Sequence, residues 1–225
     1  LSHGVGASIS WHADALEMVT KGIWQALERC IAAHGMHENV AHVFSILSTP
    51  KRISVAGKEE LDFLRLGQML YCEPAIQKAA QRMQTKPFFA WLSKSYPKLW
   101  QKLVQHHRHY EWVSFQYHGP AASLSDYVGR WQELVKGEHS PQILLRQLMS
   151  KRNALVREQK RLLARLQPGK KLALLIQLSQ AMVFIKGYRK EALYHGSYCF
   201  ERLFKEMARR LRLTVNHLWA MNYWE

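Results

Sequence analysis

Cysteine is scarce in this chain: three residues in 225, Cys30, Cys72 and Cys199, far apart and odd in number. That argues against a disulfide framework and against a thiolate zinc site, and it fits a reducing cytoplasm. Seven prolines and 12 glycines leave no room for a collagen-like or linker-rich chain. Negative charge is also short: 17 Asp and Glu face 32 Lys and Arg, a formal net charge of +15. With 48% hydrophobic and 22% charged residues, disorder driven by charge is nevertheless excluded. No uninterrupted apolar run reaches the roughly 18 residues of a membrane span, since the longest, Leu172 to Ile185, is broken by Gln177, Ser179 and Gln180. Phosphate-cradling GxxxxGK[ST], dinucleotide GxGxxG and nucleophile GxSxG patterns are absent, as are HExxH and CxxC. No catalytic residue, no metal ligand set and no cofactor site is therefore assigned to this chain.

What is present is helical periodicity. Leu16, Val19, Ile23, Leu27 and Ile31 form one stripe ending near Gly35, and Val40, Val43, Phe44 and Leu47 form a second that Pro50 stops. Ile53 to Val55 is the only stretch that reads as extended. A stripe resumes from Glu59 to Tyr71, and Pro74, Pro87 and Pro97 each suit the first turn of a short helix. Ser123 and Asp126 form a capping box ahead of Leu124, Val128, Trp131 and Leu134, closed by Gly137.

From Ser140-Pro141 an unbroken pattern runs to Pro168-Gly169, and from Lys170 a second runs to about Leu211. The fold class is thus all-α, a multi-helix domain ending in a long antiparallel helical hairpin. Residues 1–139 form a short-helix region, and 140–225 form the basic hairpin plus a short C-terminal helix, continuous with the first part. Leu155, Leu162, Leu175, Met182, Leu203 and Met207 are expected among the buried positions. Gly187 and Gly196 inside the second long helix mark either a kink, close packing or tolerated blemishes.

The surplus charge belongs to the hairpin. Between Arg146 and Arg212, 17 Lys and Arg face four Asp and Glu, which accounts for +13 of the total. Such a face either concentrates phosphates and nucleic acid or is simply solvated. Lys186, Arg189 and Lys190 stand at i, i+3 and i+4, so one helix face presents an Arg fork flanked by two point charges. They are the candidate contacts for a phosphate-bearing ligand or an acidic neighbouring domain. Tyr110, Trp112 and Tyr117 flank the Gly119-Pro120 turn, where they either wedge the loop into the core or line a groove. His106 and His109 share a helix face and, with His118, suggest a metal cluster at first sight. They lack the further ligands zinc requires, which leaves them as packing histidines.

Tyr110-x-Trp112, Tyr117-x-Gly119-Pro120, Lys186-x-x-Arg189-Lys190 and the run from Phe204 through Met207 to Leu211, leading to Leu218, resemble the helical region of phosphoenolpyruvate-utilising enzymes. This is the group of phosphoenolpyruvate synthase and rifampicin phosphotransferase. The resemblance covers about His37 to Glu225 and is strongest after Tyr110. It implies a scaffold or connector beside a swivelling phosphohistidine domain, with an ATP-grasp module, ATP and Mg in the full-length parent phosphotransferase. This chain departs from the full pattern, because it carries neither a glycine-rich segment with a phosphorylatable histidine nor ATP-grasp strands. The resemblance therefore implies a segment inactive alone, whose partners are the phosphohistidine domain and the ATP-grasp domain of the same polypeptide. Leu1 in place of Met and the apolar close at Tyr223 and Trp224 read as the ends of a fragment. The alternative is a basic helical nucleic-acid-binding module, in which Arg209 to His217 forms the edge of a helix-turn-helix. A ligand-free helical adaptor is the third reading.

Overall fold

Each apolar stripe becomes a helix by finding a face to bury, and the helix ends are set by local chemistry. A computed structural model describes residues 20–116 and 119–221. The first helix, α1 (residues 20–33), stops at Gly35, whose φ of 61° suits a residue without a β-carbon. There the Met36 amide donates to the Ile31 carbonyl and the Gly35 amide to the Ala32 carbonyl, both at 3.1 Å, which satisfies the last turn. Leu16 and Val19, the start of the predicted stripe, lie outside the described residues.

The remaining helices are α2 (Val40–Ser48), α3 (Val55–Tyr71), α4 (Pro74–Arg82), α5 (Thr85–Ser95), α6 (Pro97–Tyr110), a one-turn 3-10 helix (Glu111–Ser114), α7 (Leu124–Lys136), α8 (Pro141–Leu166), α9 (Lys170–Leu211) and α10 (Val215–Ala220). Among the described residues the chain is all-α and contains no strand. No helix among them is long and apolar enough to cross a membrane. α3 begins four residues before the predicted Glu59, because the Ser54 hydroxyl accepts from the Gly57 amide and caps the helix there. The Ser123–Asp126 capping box is formed as predicted, with the Ser123 amide donating to Asp126 Oδ2 at 2.8 Å.

The chain divides into two compact units, each assembled from two segments: the chain up to Leu64 with Pro141–Arg189, and Arg65–Ser140 with the chain from Lys190 onward. In the first unit, Ile23, Leu27 and Ile31 of α1 and Val43 and Leu47 of α2 bury against Leu162 and Leu166 of α8 and Leu172 and Ile176 of α9. The predicted hairpin is present as α8, the three-residue turn at Gln167 to Gly169, and α9. The C-terminus of α2 is fastened to both of its helices. Gln159 Nε2 donates to the Ile46 and Thr49 carbonyls at 2.8 Å each, and Gln180 Nε2 donates to the Leu47 carbonyl at 2.7 Å.

In the second unit α7 packs against α4, α5 and α6. Its Tyr127, Val128, Trp131 and Val135 are buried, with Ile76 and Ala80 of α4, Phe88 and Leu92 of α5, and Leu103 of α6. Gln132, fully buried, donates to the carbonyls of Ala80 and Met83 at 2.9 and 2.7 Å and so caps α4.

Two expectations about α9 need correction. Of the positions predicted to be buried, Leu162 is buried and Leu155, Leu175 and Met182 are half-buried, but Leu203 and Met207 are 52% and 39% exposed. Periodicity announces an apolar stripe without saying whether a neighbour will cover it. Of the readings left open for Gly187 and Gly196, close packing is the one overturned, since a β-carbon at each would meet nothing within 4 Å, whereas tolerated blemishes fit. α9 runs unbroken through both.

Candidate functional site

The polar chemistry of the second unit gathers where α6 ends and the 3-10 turn begins. His107, one turn before the end of α6, directs Nε2 at the Ala122 carbonyl (2.8 Å) and at Glu111 Oε2 (3.4 Å). The i,i+4 spacing on a helix makes that second approach geometrically natural. Glu111 opens the 3-10 turn and accepts, through Oε1, a hydrogen bond from the Tyr198 hydroxyl of α9 at 2.5 Å. Donation to that carboxylate, helped by burial and by the Glu111 charge, pushes the Tyr198 phenol up to about 12. Tyr198 therefore stays a phenol, and a hydrogen-bond donor, throughout the neutral range.

Aromatic contacts surround this network. Trp112 donates its indole N–H to the His109 carbonyl at 3.0 Å and meets the His195 ring edge-on at 4.8 Å. Phe115 is buried and meets Tyr198 at 5.7 Å. Gly119, at φ 69°, lies so close beneath Phe115 that a β-carbon there would come within 2.6 Å of the ring. The Ser114 hydroxyl accepts from the Ala122 amide at 2.9 Å, and the carboxyl of Asp126 is held below its usual range, chiefly by the Ser123 side chain and then by its amide. His195 Nε2 stands 3.8 Å from Cys199 Sγ.

Glu111 is flanked by two donors, and the Tyr198 hydroxyl is committed to it. Such a network orients side chains and fixes a loop; it does not present an activated nucleophile beside a free base. Among the described residues no three His, Cys, Asp or Glu side chains converge on a point where a metal ion could sit. His106 is buried and packs its ring on Tyr110, Tyr127 and Trp131 at 4.8, 5.6 and 5.4 Å, while His109 is exposed and rests on Tyr110 at 4.4 Å. His118 lies outside the described residues.

Of the sequence-predicted contact residues, Tyr110 is a core residue, 6% exposed, whose carbonyl accepts from the Tyr127 hydroxyl at 3.3 Å. Trp112 is half-buried on the 3-10 turn, and Tyr117 lies outside the described residues. Lys186 and Arg189 are half-buried on α9 and Lys190 is exposed. Trp112 is thus brought to α9, at His195, and Tyr110 is turned away into the core. Sequence reasoning missed His107, Glu111, His195 and Tyr198. The His107–Glu111 spacing was a readable signal; nothing local links Glu111 to Tyr198, 87 positions away.

The chain matches no protein-family model, and neither a curated protein nor a solved structure matches it.

Proposed function

We propose that this chain is a helical scaffold of the kind that holds a mobile phosphohistidine domain in a phosphoenolpyruvate-utilising phosphotransferase, and that it positions partners without catalysing. The observation that carries this reading is the fastening of Glu111, Trp112 and Phe115 onto the second half of α9. Glu111 bonds to Tyr198, Trp112 meets His195, and Phe115 meets Tyr198 and lies close to Gly119. Trp112, one of the residues of the resemblance, thus stands where two segments far apart in sequence pack on each other as a strut. Phosphoryl transfer depends heavily on positioning and charge stabilisation, so a packed strut and, separately, the basic residues Lys186, Arg189 and Lys190 of α9 each suit a physical role in such an enzyme.

The helix-turn-helix alternative has less support. α10 spans six residues and commits Leu218 to the interior, leaving little of its length to enter a DNA groove.

The test is turnover by the purified chain given ATP or phosphoenolpyruvate with Mg and a candidate acceptor. No sustained release of AMP, phosphate or pyruvate is expected. Continued release, proportional to protein and removed by a variant such as Glu111→Gln, would overturn the reading.

A further inference from the structure

Within the first unit, α1 and the start of α9 line an open cleft of about 760 Å³, a size that suits a small-molecule ligand. Its floor is apolar, made by Ala26, Leu172 and Leu175, and its rim carries three cations, Arg29 from α1 and Lys170 and Lys171 from α9. Among the described residues no Asp or Glu lines it and none of the three cations has an acidic partner. Elsewhere in the same unit the basic residues do find acids: Arg161 pairs with Glu158 and Arg165 with Glu38.

Two local rules fail together at this place. Three exposed like charges line one apolar hollow, with no acidic side chain among the described residues there to offset them. In addition, two of them occupy the first turn of a 42-residue helix that has no acidic residue there, although cations are unfavourable at that end. A bound anion relieves both conflicts at once. Three cations exceed what a carboxylate needs, and a fork flanked by two point charges suits the dianionic, three-oxygen face of a phosphate monoester. The cations share the rim of one hollow instead of lining a track, which favours a discrete ligand over a polymer.

We propose that this cleft binds a phosphate monoester bearing a short apolar group, its phosphate held by Arg29, Lys170 and Lys171 and its body lying on Ala26, Leu172 and Leu175. The site is independent of Lys186, Arg189 and Lys190 and stands whether or not the scaffold reading does. The same chemistry occurs in a soluble metabolite and in a lipid headgroup.

Calorimetric titration of the whole chain with inorganic phosphate and with n-hexyl phosphate tests it. Hexyl phosphate should bind about tenfold more tightly, the equivalent of roughly two methylenes taken out of water. Lys170→Ala with Lys171→Ala should abolish that binding while leaving the circular dichroism spectrum unchanged and the melting temperature no lower. Cys30 supplies a readout in the unmutated chain. It lines the cleft, its thiol donates to the Leu166 carbonyl at 3.2 Å, and burial pushes its pKa up. Hexyl phosphate should therefore slow alkylation of Cys30 without slowing that of the exposed Cys72 and Cys199. Sedimentation with phosphatidylcholine vesicles containing phosphatidic acid, lost in the double variant, would place the ligand in a lipid; binding of hexyl phosphate without sedimentation would place it in solution. Equal affinity for the two phosphates, binding untouched by the double variant, or no protection of Cys30 would overturn the proposal.

Discussion

The two units solve one problem with different materials. Each contains a nine-residue helix, α2 in the first and α4 in the second, too short to be stable alone. Each has its C-terminal carbonyls taken by a fully buried glutamine from a longer helix, Gln159 on α8 and Gln132 on α7. In both glutamines Oε1 is buried with no hydrogen-bond partner among the described residues, so the side chain is retained for its two N–H groups. Around this shared device the cores diverge. The central buried cluster of the first unit is aliphatic, built from leucine, isoleucine and valine, whereas the second unit is built around Trp131, Tyr127, Phe88 and the buried His106 ring. An aliphatic core needs only stripes of the right period. An aromatic core also needs partners for its polar atoms, and Tyr127 finds one in the Tyr110 carbonyl.

The sharpest way to break the parallel is to remove each glutamine. Gln132→Met keeps the bulk and deletes the donors, leaving the Ala80 carbonyl without a hydrogen bond among the described residues. It should cost about 2–3 kcal/mol by urea unfolding. Gln159→Met should cost about 1 kcal/mol less. The Ile46 carbonyl retains the Thr49 amide, and Gln180 still holds the neighbouring Leu47 carbonyl. Equal losses would show that the second fastening of α2 contributes nothing.

A smaller effect separates the units by pH. Tyr198, in the second unit, has a folded pKa raised to about 12 by its bond to Glu111, against about 10 unfolded. A group whose pKa is raised by folding stabilises the fold fully below pH 10, and that contribution is lost as pH rises through 12. Tyr198→Phe should cost about 1 kcal/mol near neutrality, and the stability difference from the unmutated chain should vanish above pH 12. The difference in absorbance at 295 nm should show one phenol titrating late, moved back toward 10 by Glu111→Gln. A difference spectrum titrating at pH 10 would dissociate the tyrosine from the carboxylate.

Much of the fold was legible because helices announce themselves locally. The prolines at 74, 97 and 141 start α4, α6 and α8, and Ser123 with Asp126 starts α7. Ile23, Leu27, Ile31, Val43 and Leu47, read from spacing alone, are all core residues. The errors fall where burial depends on a distant neighbour. Leu203 and Met207 repeat at helical spacing yet stay exposed, because the second half of α9 buries Ala208 and turns His195 and Tyr198 to Trp112 and Phe115 instead. The candidate site divides in the same way. Trp112 stood out by its type and position, but Glu111 between two conspicuous aromatics did not, since its role depends on a tyrosine 87 positions later. Neither could any local pattern reveal that Arg29 would meet Lys170 and Lys171 across one cleft.

The scaffold reading is tested most directly by titrating the chain with an isolated phosphohistidine swivelling domain from a phosphoenolpyruvate-utilising enzyme, in phosphorylated and unphosphorylated forms. The phosphorylated domain should bind more tightly. Arg189→Ala should weaken that binding about tenfold, as expected for loss of one charge-assisted contact, with the circular dichroism spectrum unchanged. Identical affinity for the two forms, or displacement of the domain by duplex DNA at lower concentration than by the domain itself, would contradict it.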